Sequence, residues 1–533
     1  MDQPLQSAPA PELIFGIVAP IGVDLDLLTE QITEALREMQ YDTQLLRLTE
    51  LMRTAFRNAG DEAESAGGPY IQSIQSRIAK ANSWRNKYGD DVLAVLAISA
   101  IRRLRQEYWR SNIDKKSPLS SDDIENTERM LEEPIPSQAY VIRQFKRPEE
   151  IALFRSVYGK QFVLISATAP EDVRLKRIED EESRSCGGLI SNVELNNRAF
   201  SLISQDSKES LEPHGQDVRD AFPRGDVFID TSNPDICSYT IRRFVRALFG
   251  HNEITPTHDE YGMYLAKTAS LRSSDLSRQV GAAVFRDSGE VATLGCNEVP
   301  KFGGGTYWAG DAIDHRDFVD GYDPNEKRKV ELIVDIINRL QKNGQLTSKV
   351  AGIGDAYAIT RELLTDKSDD GIKKSKIMDI IEFGRIIHAE MSAICDASRL
   401  GVSLKNGTLY CTTFPCHICA KHIVAAGIRR VVYLEPYPKS YAKDLHSDSI
   451  SVDNSSVSDR VRFEAFIGVS PFRYRDIFEK GKRKYATGMA QRWAMDAPKP
   501  VIDVYFPSYA QAEVAVVGEF EAKLQSDGVS KDG

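Results

Sequence analysis

The sequence predicts an α/β protein of two domains, each a sheet layered with helices, and three observations carry that prediction. A chain of 533 residues exceeds one ordinary core, and a composition 41% hydrophobic and 27% charged gives each domain enough apolar residues to bury. The first half alternates short apolar runs with helically spaced ones, the pattern of a parallel sheet with helical crossovers. A polar, turn-rich stretch at 250–258, with Pro256 inside it, then separates this half from a second one in which helix and strand patterns alternate again. The expected limits are 11–250 for the first domain and 255–512 for the second.

Residues 13–19 read as a buried strand and 27–39 as the helix after it. Between them lies Pro20-Ile21-Gly22-Val23-Asp24, in the place of a phosphate-cradling loop, with Gly16 and Gly22 as the glycines a nucleotide could approach. Such a loop carries Gly-Lys-Ser/Thr where this chain has Gly22, Val23 and Asp24. The lysine that supplies charge is missing, and Asp24 would repel phosphate. Strands at 41–48, 139–143 and 162–166 and a helix at 92–109 extend the parallel sheet. In the second half, the Gly- and Asp-rich stretch 303–323 and the helical pattern at 330–340 read as an insertion, of a length that is more often functional than inert. The tail after Gln525 is expected to be disordered.

Bulk properties exclude several classes. The formal charge of −10 argues against a broad phosphate-neutralising surface. No run approaches the roughly eighteen apolar residues of a membrane helix and the first residues lack a signal pattern, so a cytoplasmic protein is expected. Seven cysteines are scattered from Cys186 to Cys419, and Cys416 and Cys419 alone have close metal-type spacing. A disulfide framework is not expected.

The chemistry concentrates in His388-Ala389-Glu390 and Pro415-Cys416-His417-Ile418-Cys419. Residues 391–400 read as a helix that Gly401 can end, 407–414 as a strand, and 417–426 as a second helix. Both sulfurs then sit at a helix start, where the dipole favours the thiolate that zinc requires. One imidazole and two thiolates leave a fourth tetrahedral position open, which marks a catalytic rather than a structural zinc. Zinc lowers the pKa of the water it binds to about 7, and Glu390, two residues beyond His388, can move the protons. His417 and His422 read as surface or packing residues. A lone Cys-x-x-Cys would equally suit a redox pair, and a lone His-Ala-Glu a solvated helix start; the combination resembles the signature of the zinc nucleobase deaminases.

Upstream, residues 269–284 run Ala-Ser-Leu-Arg-Ser-Ser-Asp-Leu-Ser-Arg-Gln-Val-Gly-Ala-Ala-Val, and 295–300 run Gly-Cys-Asn-Glu-Val-Pro. This stretch resembles the deoxycytidylate deaminases and implies that Arg278 and Asn297 contact phosphate or sugar. The family usually has Asn at Ser392 and Gly at Glu298. Lys439 and Arg473 are candidates to lend charge to a triphosphate. Residues 140–150 and 169–184 resemble the P-loop nucleoside-monophosphate kinases, with Arg174, Arg177 and Arg184 in a lid position; without the loop lysine, the simpler reading of these arginines is a solvated helix face.

Taken together, a P-loop kinase-like parallel-sheet domain with a degenerate loop, followed by a cytidine deaminase-like αβα sandwich, resembles the two-domain anti-phage dCTP deaminases of bacteria. The resemblance implies hydrolytic deamination of dCTP or dCMP with Zn2+ as cofactor and a dCTP pool that collapses during infection. It also implies a regulatory nucleotide at the N-terminal domain, an inhibitory RNA in some members, and a homo-oligomer, taken as a hexamer. Alternatives are a housekeeping dCMP deaminase, which needs no kinase-like half, and a polynucleotide cytosine deaminase, which needs a basic groove. A nucleotide-binding module with a vestigial site is a third.

Overall fold

A computed structural model describes residues 10–58, 68–112, 131–187, 190–208, 215–366, 371–437, 440–453, 458–493, 498–502 and 508–526. The expected disorder after Gln525 falls almost wholly outside them. The chain divides into one unit of residues 1–260 and 467–533 and another of 261–466.

The first unit is built on a six-stranded sheet ordered β12-β5-β4-β1-β3-β2. Its strands are β1 (Leu13–Val18), β2 (Asp42–Arg47), β3 (Gln138–Phe145), β4 (Phe162–Thr168), β5 (Val227–Asp230) and β12 (Gly468–Val469). β1 to β5 are parallel, and β12 joins β5 antiparallel. β1 is buried at every position because helices cover both faces, which is why it reads as a continuous apolar run. The helices are α1 (Leu25–Glu38), α2 (Leu48–Asn58), α3 (Tyr70–Tyr88), α4 (Val92–Asn112), α5 (Pro148–Tyr158), α6 (Glu171–Ser185), α7 (Asn192–Lys208) and α8 (Pro234–Leu248). Leu25, Leu28, Ile32 and Leu36 of α1 share one core with α8, while Val92, Ile98 and Phe154 of α4 and α5 share the core on the opposite face.

Four expectations change here. Residues 467–512, expected in the second domain, lie with the first unit: β12 extends its sheet, and Tyr509 and Val517 join its core. Arg473 is 2% exposed and bonds Asp226 Oδ1 at 3.1 Å and the carbonyls of Lys160 and Phe162, so it cannot reach a triphosphate from solvent. Gly16 lies inside β1, where a Cβ would come within 2.4 Å of the Phe145 ring, so its role is packing and not nucleotide contact. Asp24, expected to repel phosphate, is the N-cap of α1 and accepts from the Leu27 N–H at 3.0 Å.

The second unit has a sheet ordered β10-β11-β9-β8-β6-β7. The strands are β6 (Gly281–Phe285), β7 (Val291–Cys296), β8 (Thr408–Thr413), β9 (Arg430–Glu435), β10 (Ile450–Val452) and β11 (Val461–Ala465). The β6 strand is antiparallel to β7 and β8, and the remaining pairs are parallel. The helices are α9 (His258–Ser270), α10 (Pro324–Lys342), α11 (Ala356–Thr365), α12 (Ala389–Leu400) and α13 (His417–Ala425), and α14 (Ser508–Ser526) closes the chain in the first unit. Two glycines on paired strands let helices approach from opposite faces. A Cβ on Gly281 would meet Ala266 O of α9 at 1.9 Å, and one on Gly295 would meet Ala389 O of α12 at 2.1 Å. The result is an αβα sandwich. The insertion forms α10 and α11, which share a small core of Ile333, Ile337, Ala356 and Ile359.

Candidate active site

Two helix starts meet at the site. His388 is the N-cap of α12, and Gly401, left-handed at φ +70°, ends that helix. The β8 strand runs through Phe414 and Pro415 to Cys416, the N-cap of α13, whose sulfur accepts from the Cys419 N–H at 3.4 Å. His388 Nδ1 then lies 3.3 Å from Cys416 Sγ and 3.4 Å from Cys419 Sγ. Among the described residues this is the one group of three potential metal ligands, with all ligand atoms within 4.8 Å of one another.

The set fits zinc. Bonds of about 2.0 Å to nitrogen and 2.3 Å to sulfur at tetrahedral angles require ligand atoms about 3.5 Å apart, close to the spacing here, and the nitrogen and sulfur donors match a borderline-soft cation. The protein's own charges already prepare the site. The hydrogen bond with Cys419 and the pairing with His388 hold the Cys416 thiol down to about 4. Burial opposes charge on His388, but Cys416 outweighs it and raises the imidazole to about 9. Cys419 is pushed well up by burial and by its neighbour's thiolate. A dication displaces both the imidazolium and the thiol proton, so binding releases protons.

Glu390 is 4% exposed, in the first turn of α12, with Oε2 3.5 Å from Cys419 Sγ. Burial and the Cys416 charge push its carboxyl up to about 7. It borders a cavity of about 200 Å³ together with His388, Cys416, Arg278 and Asn297. Arg278 pairs with Glu435 at 3.0 Å and keeps 47% of its side chain exposed, so its guanidinium stands at the rim. Asn297 is 5% exposed and fully engaged: its amide donates to Asp275 Oδ2 at 2.7 Å and Arg278 O at 2.6 Å, and its oxygen accepts from the Val280 N–H at 2.7 Å. It shapes the loop that carries Arg278.

His417 pairs with Glu382 at 3.2 Å, away from the ligand set. Glu298 is buried, accepts from the Ser274 N–H and hydroxyl and so braces the same loop. Gly22 borders a separate cavity in the first unit. Lys439 lies outside the described residues.

Sequence reasoning missed Asp275, Asp317, Asp323, Asn325 and Tyr437, all of which line the zinc cavity. Asp317 is 3% exposed; its Oδ1 lies 3.4 Å from Arg385 Nε without a hydrogen bond, and burial raises its carboxyl. The available signal was Asp323-Pro324, a cap followed by proline at a helix start. Among the described residues no helix is long and apolar enough to cross a membrane.

Comparison with known proteins agrees with this geometry. Residues 256–435 match the family described as cytidine and deoxycytidylate deaminase zinc-binding region. The deoxycytidylate deaminase of Enterobacteria phage T2 is 30% identical over 134 residues, covering 21% of this chain and 71% of that protein. ComE operon protein 2 of Bacillus subtilis is 45% identical over 62 residues, 11% of this chain and 33% of its own. Among solved structures, the dCMP deaminase of cyanophage S-TIM5 in complex with dCMP and dUMP is 17% identical, covering 40% of this chain and 99% of that one at a TM-score of 0.22. Through its second unit, which brings one imidazole, two thiols and a buried glutamate together, the chain belongs to the family of zinc-dependent cytidine and deoxycytidylate deaminases.

Proposed function

We propose that the protein hydrolyses the exocyclic amine of free deoxycytidine nucleotides, dCTP or dCMP, to give the uracil nucleotide and ammonia. The observation that carries this reading is a cavity of about 200 Å³ lined by His388, Cys416 and Glu390, with Arg278 at the rim. That volume suits one pyrimidine nucleoside, and a guanidinium at the rim suits the phosphate that trails from it. A polynucleotide would need a basic track, whereas the wall here carries Asp275, Asp317 and Asp323.

Zinc held by His388, Cys416 and Cys419 supplies Lewis acidity, which makes water a competent nucleophile near neutral pH. The residues of the chain do the rest. The Glu390 carboxylate takes a proton from the attacking water and delivers it to N3 of the ring as the new bond forms at C4. It then carries the second water proton to the amino group, the C4–N bond breaks, and ammonia leaves. A carboxyl raised toward neutrality suits both directions of transfer. The cavity walls hold the ring and exclude bulk water.

The wider role is depletion of the deoxycytidine nucleotide pool as an antiviral measure. Its support is the resemblance of the two-part chain to the anti-phage deaminases. The strand order β2-β3-β1-β4-β5 likewise supports a kinase-like first unit without phosphotransfer.

Purified zinc-loaded protein assayed with dCTP, dCMP, deoxycytidine and single-stranded DNA tests the reading by ammonia release. Turnover of dCTP or dCMP well above that of the DNA is expected. Turnover of the DNA alone would transfer the function to polynucleotide editing.

A further inference from the structure

The insertion supplies one stretch of the zinc cavity's wall and places Asp317, Asp323 and Asn325 on it. Two of these polar groups are already engaged within the fold. Asp323 caps α10, its Oδ1 accepting from the Asn325 N–H at 2.8 Å. The Asn325 amide donates to Ile380 O and accepts from the Phe383 N–H.

Asp317 is different. It opens a single helical turn, Asp317–Asp320, which left-handed Gly321 ends, and it is 3% exposed. Its Oδ1 has no hydrogen-bond partner among the described residues, and Arg385 Nε stands 3.4 Å away as an ion pair without a hydrogen bond. Arg385 is committed elsewhere, donating to Asp320 Oδ2 at 3.1 Å and to the His315 carbonyl. A buried carboxylate short of donors is costly, and a donor on a bound ligand would relieve that cost.

The chemistry of the cavity narrows what that donor can be. Asp275, Asp317 and Asp323 repel a phosphate, so the phosphate turns to Arg278 and the insertion faces a neutral part of the ligand. A deoxycytidine nucleotide has two hydrogen-bond donors besides its phosphate, the amine on C4 and the 3′-hydroxyl of the sugar. The amine must lie at the metal ligands and Glu390, where it is hydrolysed. The hydroxyl is left for the wall. Asn297, the residue the sequence points to for the sugar, gives both amide hydrogens to Asp275 Oδ2 and Arg278 O, and its oxygen already accepts from the Val280 N–H.

We propose that Asp317 reads the sugar at the deaminase site: its carboxylate accepts a hydrogen bond from the 3′-hydroxyl of the bound deoxycytidine nucleotide and selects against ligands that lack it. This contact presupposes the deamination of free deoxycytidine nucleotides and brings the insertion into the binding machinery. It is made equally in the ground and transition states, so its effect falls on KM and leaves kcat nearly constant.

Steady-state kinetics of the full-length, zinc-loaded protein with dCMP, dCTP and the 2′,3′-dideoxy form of each test it, and the better-used pair decides. Wild type prefers the 3′-hydroxylated member by about tenfold or more in kcat/KM, as expected for a hydrogen bond to a charged group. Asp317→Ala brings that ratio close to one. Asp317→Asn, which keeps the shape and a weaker acceptor, gives an intermediate ratio. In both variants Arg385 keeps its bond to Asp320, so the insertion stays anchored. Equal use of the two members by wild type overturns the proposal. So does a ratio that persists in the variants while both rates fall, the result of a purely structural Asp317. If one variant melts early, the other decides. Absence of dCMP and dCTP turnover in wild type overturns the deamination reading itself, and the sugar contact with it.

Discussion

Replacing Arg278 by alanine should separate nucleotide from nucleoside. A guanidinium that makes charge-assisted hydrogen bonds to a phosphate contributes about 1.5–3 kcal/mol. Arg278 is half exposed and must leave Glu435, 3.0 Å away, to do so. An exposed ion pair is worth about 0–1 kcal/mol, so the net loss on removal is about 1–2 kcal/mol, or roughly 5- to 30-fold in kcat/KM. The assay compares dCMP with deoxycytidine, wild type against Arg278→Ala, by loss of cytosine absorbance. The dCMP value should fall through KM with kcat nearly constant, because the contact lies far from C4 and is equal in ground and transition states. The deoxycytidine value should hardly move. An equal fall for both substrates would refute the reasoning and make Arg278 a scaffold for the cavity loop. Glu435→Gln, which releases Arg278 from its partner, should shift dCMP the opposite way by a few-fold.

Three further outcomes follow from the geometry. Glu390→Gln should lower turnover by about 10²- to 10⁴-fold while metal analysis still finds one zinc per chain, because the carboxylate moves protons and is not among the three ligands. Gly295→Ala puts a methyl 2.1 Å from Ala389 O, so α12 must shift; about 1–3 kcal/mol of stability and part of the zinc affinity should be lost, read by melting and by competition with a chelator. In the first unit Arg105, Glu12 and Glu513 are fully buried, with Arg105 at 2.7 and 2.6 Å from the two carboxylates. Arg105→Met leaves two facing carboxyls without a counter-charge and should cost about 3–5 kcal/mol in denaturant unfolding of that unit.

The zinc site was legible because its chemistry is local. Each ligand lies at a helix start, and the strand between them is read from its own apolar run. The central strands were legible for a related reason: parallel strands buried on both faces leave an unbroken apolar signature, as in β1 and β4. The return of the chain to the first sheet was not legible, because β12 has two residues and no period can be read from two. Arg473 carries the same lesson. A basic residue in a basic stretch reads as a surface charge, and its burial depends on Asp226, 247 positions earlier in the chain. Asp24 was read for its charge when its position before a helix decided its role. The acids of the zinc cavity were hidden because 317–325 reads as an irregular insertion whose destination is set by packing.

That insertion explains how a sandwich edge becomes a walled cavity. Asn325, at the start of α10, donates to Ile380 O at 2.9 Å and accepts from the Phe383 N–H at 3.2 Å, which ties the start of α10 to the returning segment. The returning segment then exchanges backbone hydrogen bonds between Ile387 and Glu298 at 3.1 and 3.3 Å, directly before His388. The same segment therefore supplies cavity wall through Ile381, Gly384 and Ile386 and fixes the backbone on which the first ligand stands. Glu298 holds that bridge with its backbone and the Arg278 loop with its carboxylate, so one buried residue sets the distance between the rim and the metal ligands. A glycine at this position could keep the bridge but not the brace.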